Sequence, residues 1–255
     1  GLKSVAGFSG TNITNVSFPS TLLKIEGRAF ASCKNLMCNI SLPTSLQYIG
    51  AYAFSSSAIS GNLILPENVS FIGREAFYGC EDLIGSLTIP NGIKEINDFA
   101  FGVCGFTGIL TLPNGLEKIG ISAFDSTKFK GELHIPESVT SIGACAFRGT
   151  EFNGTLVLPK ELLYLGDEAF SGCWRLSGIV TIPQNIIAIP SKIFKRCSGL
   201  EGVVLHKDVE TISASAFENC FYITSIICEA KNPPTIKADS FNGVAKDNFT
   251  VEVPE

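Results

Sequence analysis

Charge is scarce in this sequence. Asp, Glu, Lys and Arg together make up 17% of 255 residues, and the formal net charge is −5. That balance gives no electrostatic case for nucleic acid or for an anionic membrane surface. No apolar run approaches the roughly 18 residues that a membrane-spanning helix needs. The opening Gly1-Leu2-Lys3-Ser4 lacks the charged-then-apolar layout of a signal peptide. Methionine occurs once and histidine twice. There is no Cys-x-x-Cys pair and no cysteine–histidine spacing of a zinc site. Glycine is plentiful but never forms the strand-to-helix fingerprint of a phosphate loop. No metal or cofactor is therefore expected.

What the chain does have is a period. The segments Val16-Ser17-Phe18-Pro19, Ile40-Ser41-Leu42-Pro43, Leu63-Ile64-Leu65-Pro66, Leu87-Thr88-Ile89-Pro90 and Leu110-Thr111-Leu112-Pro113 share one pattern. It continues in Leu133-His134-Ile135-Pro136, Leu156-Val157-Leu158-Pro159 and Val180-Thr181-Ile182-Pro183, and loses its proline in Val203-Val204-Leu205-His206. The spacing is 23 or 24 residues throughout. A second marker, Ala-Phe, keeps step at Phe30, Phe54, Phe77, Phe101, Phe124, Phe147, Phe170 and Phe217, and Phe194 and Phe241 fill the same column. Between the markers lies an aliphatic pair such as Val69 and Ile72 or Val139 and Ile142, often followed by glycine, as at Gly50, Gly73, Gly120, Gly143 and Gly166.

Each unit has a physical reading. Strand side chains alternate, so Leu-x-Leu sends two apolar groups inward and its middle residue outward. Proline, with no N–H to donate, ends the strand. Glycine after the aliphatic pair is expected to permit a tight turn. One such unit cannot bury its own apolar side, but stacked units can. The period falls within that of leucine-rich repeats.

The consensus Leu-x-Ile-Pro-x-x-Val-x-x-Ile-Gly-x-x-Ala-Phe-x-x-Cys resembles the BspA-like leucine-rich-repeat family. That family is known from surface proteins of anaerobic bacteria and of some parasitic protists. The expected fold is one right-handed, curved, monomeric solenoid of about ten 23–24-residue coils, mostly β and turns with little α-helix. A parallel sheet of one Leu-x-Leu strand per coil should line the concave side. At roughly 4.8 Å per strand, ten strands span about 45–50 Å. Residues 1–255 read as one repeat domain: a degenerate N-terminal repeat at 1–12 around Phe8, regular repeats at 13–228, and a terminal repeat at 229–255. Cys228 to Pro234 resembles the widened coil of the family's terminal repeat, and Phe249 to Pro254 reads as a final strand. The natural polypeptide is expected to continue.

Candidate sites follow the columns. Cys33, Cys80, Cys104, Cys173, Cys197 and Cys220 stand three residues after the phenylalanine, where other repeats carry Ser57, Thr127 and Thr150. Exchange with Ser and Thr marks a buried ladder of reduced thiols, each donating weakly to a turn carbonyl, rather than a redox or metal site. Cys228 reads as core. His134 and His206 read as surface residues, since the strand neighbours of His134, Thr111 and Val157, supply neither base nor nucleophile. Asp167-Glu168 and Glu81-Asp82 read as solvated turn carboxylates. Asn12, Asn15, Asn39, Asn68, Asn153 and Asn248 open Asn-x-Ser/Thr triplets, which repeats of this composition generate freely.

The remaining candidate is the outward row of the strands. Thr88, Thr111, His134, Val157 and Thr181 should stand side by side as a partner-binding strip of low desolvation cost. Their composition equally suits a sheet with no ligand. The resemblance implies a non-enzymatic binding or adhesion module, at the cell surface or secreted, for an unidentified protein or other surface macromolecule. The alternative is a structural spacer within a larger surface protein.

Overall fold

Phenylalanine sets the pitch of the coil. In the computed structural model, which describes residues 1–230, 232–244 and 250–252, the repeated rings lie face over face from Phe8 to Phe241. Successive centroids are 5.3–5.9 Å apart and the planes are within 22° of parallel. This is the offset stacking that aromatic quadrupoles favour. The rings from Phe30 to Phe217 are fully buried, while Phe8 is 39% exposed and Phe241 only partly covered. A second column of Phe106, Phe129 and Phe152 stands edge-on to the first at 6.0–6.4 Å. In three consecutive coils it takes the place that buried Leu83 and Leu176 hold in the coils on either side. The result is a parallel-sheet solenoid of about ten coils, with no helix among the described residues. Among the described residues no helix is long and apolar enough to cross a membrane.

Around each ring the backbone passes twice through the left-handed region. From Phe30 to Phe241 the residues two before and two after each phenylalanine of the column carry positive φ, as do Ser122 (50°) and Ser126 (58°) about Phe124. Every non-glycine residue of positive φ among those described occupies one of these two positions. Each such residue costs about 1–2 kcal/mol, and hydrogen bonding to the next coil holds it there. Ser122, Phe124 and Ser126 donate their N–H groups to Ala144, Ala146 and Arg148 carbonyls at 2.8, 2.9 and 2.7 Å. The residues between them close turns within the coil, such as Ala123 N–H to Gly120 O at 3.4 Å.

The most continuous ladder is not the expected one. It runs through the second aliphatic position: Ser4–Val5, Lys24–Ile25, Tyr48–Ile49 and Phe71–Ile72, then Glu95–Ile96, Lys118–Ile119, Ser141–Ile142 and Tyr164–Leu165, then Ala188–Ile189, Thr211–Ile212 and Thr235–Ile236. Its two breaks have local causes. The residue after the aliphatic ordinarily donates to the coil before, as Gly166 N–H does to Ile142 O at 2.9 Å. Pro190 has no N–H to give Leu165. At the other break the Asn97 side-chain amide takes over, donating to Ile72 O at 2.7 Å.

Leu-x-Leu does not form one strand in every coil, which corrects the expectation of a complete sheet there. Leu87–Thr88 pairs with Leu110–Thr111. Leu176–Thr181, Leu200–Leu205, Ser225–Cys228 and Thr250–Glu252 pair in sequence. The other Leu-x-Leu segments lack a bonded neighbour at the leucines. Pairing extends furthest where the proline is absent, for there Glu229 N–H reaches Leu205 O at 2.9 Å. Thr250–Glu252 lies within the expected final strand, but Phe249, Val253 and Pro254 fall outside the described residues, as does Lys231 of the terminal loop.

The glycines after the aliphatic pair also have a different purpose from the expected one. None of Gly50, Gly73, Gly120, Gly143 and Gly166 has positive φ. Instead the coil before passes too close for a side chain. A Cβ on Gly143 would lie 2.6 Å from the Gly120 carbonyl carbon, and one on Gly120 would lie 2.6 Å from Asp98 N.

Candidate functional site

Alternation along Leu-x-Leu places Thr88, Thr111, His134, Val157 and Thr181 in solvent, with the flanking leucines and isoleucines buried beneath them. These residues do not form one uniform row. Thr88 and Thr111 are direct partners in a bonded pair of strands. Thr181 belongs to the long sheet and faces Val204. His134 and Val157 lie between, flanking a recess of about 420 Å³ that Glu132 and Thr155 also line. The His134 Nε2 atom is 3.6 Å from Glu132 Oε2, and both side chains are largely exposed.

A companion column escaped the sequence reading. Ser86, Ile109, Glu132, Thr155 and Ile179 precede the first aliphatic of each segment and are exposed on the same face. The signal was present, since each stands two residues before an outward residue. Its varied chemistry hid it. Together the columns expose Ile109 (57%), Val157 (63%) and Ile179 (45%) beside hydroxyl groups. From Ser86 to Thr181 their only titratable members are Glu132 and His134.

The cysteine ladder is buried and all nine cysteines are free thiols. Its hydrogen bonds have a direction that the sequence did not reveal. Cys80, Cys104, Cys173, Cys197 and Cys220 donate to the phenylalanine carbonyl of the coil before, at 2.9–3.1 Å. Ser57, Thr127 and Thr150 donate to the phenylalanine of their own coil at 2.7–2.9 Å. Burial pushes the Cys80, Cys173 and Cys220 thiols up to about 12, which removes the thiolate on which redox and metal chemistry depend.

Two expectations about polar residues are corrected. His206 is not a surface residue. It is 2% exposed, and its Nδ1 accepts the Asp208 N–H at 3.2 Å while Nε2 donates to Ile186 O at 3.2 Å. The ring fills the space of the missing proline and satisfies two backbone groups. Glu168 is not simply solvated either. It sits at the centre of an ion-pair chain from Asp125 to Arg148 (2.6 Å), to Glu168 (3.3 Å) and to Lys192 (3.1 Å). Partial burial raises its pKa, but the hydrogen bonds and charges of Lys192 and then Arg148 outweigh that and hold the carboxyl below its ordinary value. Asn12, Asn15, Asn39, Asn68 and Asn153 are exposed, and Asn248 lies outside the described residues. No group of three or more metal-ligating side chains occurs among the described residues.

Comparison with known proteins agrees with this geometry. A family model described as a BspA type leucine rich repeat region matches residues 4–130 and 117–246 in six copies. A leucine-rich repeat protein from Bacteroides ovatus is similar in fold, with a TM-score of 0.61 at 21% identity over 99% of this chain and 84% of that one. A leucine rich cell surface protein from Faecalibacterium prausnitzii gives 0.50 at 17% over 100% and 83%. The pneumococcal vaccine antigen PcpA gives 0.54 at 17% over 99% and 71%. At these identities the likeness concerns fold alone. No curated protein matches the chain in sequence.

Proposed function

The chain belongs to the BspA-type leucine-rich-repeat family, and on that premise we propose that it is a non-enzymatic binding module of a cell-surface or secreted protein. The Leu-x-Leu face, with Thr88, Thr111, His134, Val157 and Thr181 at its centre, is the surface it offers a macromolecular ligand. One observation carries this reading. Two exposed columns side by side combine aliphatic and hydroxyl groups with almost no fixed charge. Such a surface loses little hydration energy when covered, whereas buried unpaired charges are costly. The surface description of the Faecalibacterium protein agrees with the localisation.

The test is a pull-down of host and bacterial surface components with the wild-type chain and two double variants. Thr111→Glu with Val157→Glu places charge on the proposed face. Ser70→Glu with Ala188→Glu places it at exposed positions along the other ladder. The ligand should be lost from the first variant and kept by the second, with circular dichroism unchanged in each. The reverse pattern would remove the Leu-x-Leu face from consideration. Absence of any ligand would favour a spacer.

A further inference from the structure

Two recesses open on the Leu-x-Leu face at the same place in the repeat. One, of about 420 Å³, is bordered by Glu132, His134, Thr155 and Val157. The other, of about 300 Å³, is bordered by Asn39, Ser41, Asn62 and Ile64. Glu132 and Asn39 hold equivalent positions, as do Thr155 and Asn62, His134 and Ser41, and Val157 and Ile64.

Each recess forms where the ladder is missing. No backbone hydrogen bond joins residues 133–135 to 156–158, or 40–42 to 63–65. In the paired coils Leu87 and Ile89 both donate to the neighbour, at 2.9 Å. The strand edges therefore offer backbone donors and acceptors within the recesses. A left-handed glycine precedes one lining residue of each recess, Thr155 or Asn62. Gly154 (φ 77°) leaves room for the Glu132 side chain and Gly61 (φ 80°) for Asn39. A Cβ on either glycine would lie 3.2 Å from that side chain's Cγ.

The shared chemistry narrows the ligand. Each recess has a side-chain oxygen acceptor on one coil, a second hydrogen-bonding side chain across the gap, a third polar group and one aliphatic wall. A cationic side chain would suit Glu132 but finds no carboxylate at Asn39. An anionic group would meet Glu132. An apolar side chain would desolvate the carboxylate, or the paired amides, without replacing their hydrogen bonds. A hydroxyl-rich ring with a C–H face satisfies both sites, since its hydroxyls donate to Glu132 or Asn39 and its C–H face lies on Val157 or Ile64.

We infer that the Leu-x-Leu face carries two equivalent saccharide subsites for a neutral glycan lying along the solenoid axis. This rests on the reading of that face as the ligand surface. The subsites are four coils apart, about 19 Å at roughly 4.8 Å per coil. A polysaccharide can therefore engage both at once and gain by avidity what a monosaccharide cannot.

The experiment uses the full chain on an array of neutral and acidic glycans, followed by electrophoresis through gels containing a mannan, a galactan or a β-glucan. At least one neutral glycan should bind and its polymer should retard the protein. Glu132→Ala with Thr155→Val should weaken polymer binding at least tenfold, and Asn62→Ala should do so independently. Ser70→Glu should change nothing, and all variants should keep the wild-type circular dichroism spectrum. Binding by acidic glycans alone, by no glycan, or undiminished in both recess variants overturns the assignment. A protein ligand lost on Thr111→Glu with Val157→Glu, in the absence of glycan binding, overturns it while the wider reading of the face stands. Binding of neither class overturns both.

Discussion

At the scale of single residues, the fold works by giving each repeated position one fixed neighbour above and one below. The cysteine ladder shows how far this was legible. Its burial followed from the exchange of Cys with Ser and Thr, because small weak donors are interchangeable only where they touch protein rather than solvent. The direction of its bonds did not follow, since that depends on how sulfur and oxygen reach different coils. The same limit applied to His206, whose role depends on Ile186 in the coil before. Two predictions belong here. A thiol reagent at pH 8 should label the native protein no further than the half-exposed Cys38 and Cys145, and should reach all nine cysteines in denaturant. Rapid native labelling within the ladder would contradict its burial. Glu168 predicts an acid dependence. Its folded pKa is lowered, so its stabilisation is present above the ordinary glutamate value of about 4.3. That stabilisation is lost as pH falls through the lower folded value. Denaturant unfolding of Glu168→Gln should therefore show a shallower loss of stability from pH 5 to pH 3 than wild type. The difference should be under about 1 kcal/mol, because the group is partly exposed and screened. Parallel curves would show that Lys192 and Arg148 leave it unperturbed.

At the scale of the element, periodicity located the segments correctly but not the ladder that binds them most continuously. Leu-x-Leu looked like the sheet because its alternation is strong, yet a strand also needs donors in register with a neighbour. Proline limits that at one side of the coil. The aliphatic pair is followed by a residue that donates, so its ladder continues except where the Asn97 side chain takes over the bond and where Pro190 has no N–H to give. The left-handed turns about each phenylalanine were invisible for another reason. Arg28, Tyr52, Phe99 and Lys192 have no composition suggestive of positive φ, and the three hydrogen bonds to the next coil impose it. Glycine after the aliphatic pair suits a tight turn by composition, but its purpose is close approach. Gly143→Ala tests this. Positive φ is not at issue, and the added methyl would meet the backbone of Gly120 and Ile121. Destabilisation of roughly 1–3 kcal/mol is expected, as for overpacked cores, and denaturant melts would measure it. No loss would mean that the coils separate freely there.

At the scale of the whole molecule, stability should be a sum over coils and the contacts between neighbours, because the strand pairs and ring stacks among the described residues join adjacent coils. The phenylalanine column makes this measurable. Phe124 is fully buried, stacked on Phe101 at 5.7 Å and on Phe147 at 5.6 Å, with Phe129 edge-on at 6.0 Å. Removing its ring leaves a cavity bounded on both sides by coils that other bonds hold in place, so collapse is limited. Phe124→Ala should cost roughly 3–5 kcal/mol, the usual range for a large core deletion. Phe241 stacks on Phe217 at 5.3 Å, is only partly covered, and belongs to the last described phenylalanine turn. Its replacement by alanine exposes one side of one coil, which can relax outward. The loss should be clearly smaller. Chemical denaturation by circular dichroism measures both, and the denaturant slope adds a second readout. If only the terminal coil is loosened, Phe241→Ala should broaden the transition or add a minor early phase, since end coils of a solenoid can open first. Equal losses at the two positions, with unchanged slopes, would show that the solenoid responds as one indivisible core rather than as a stack of neighbours.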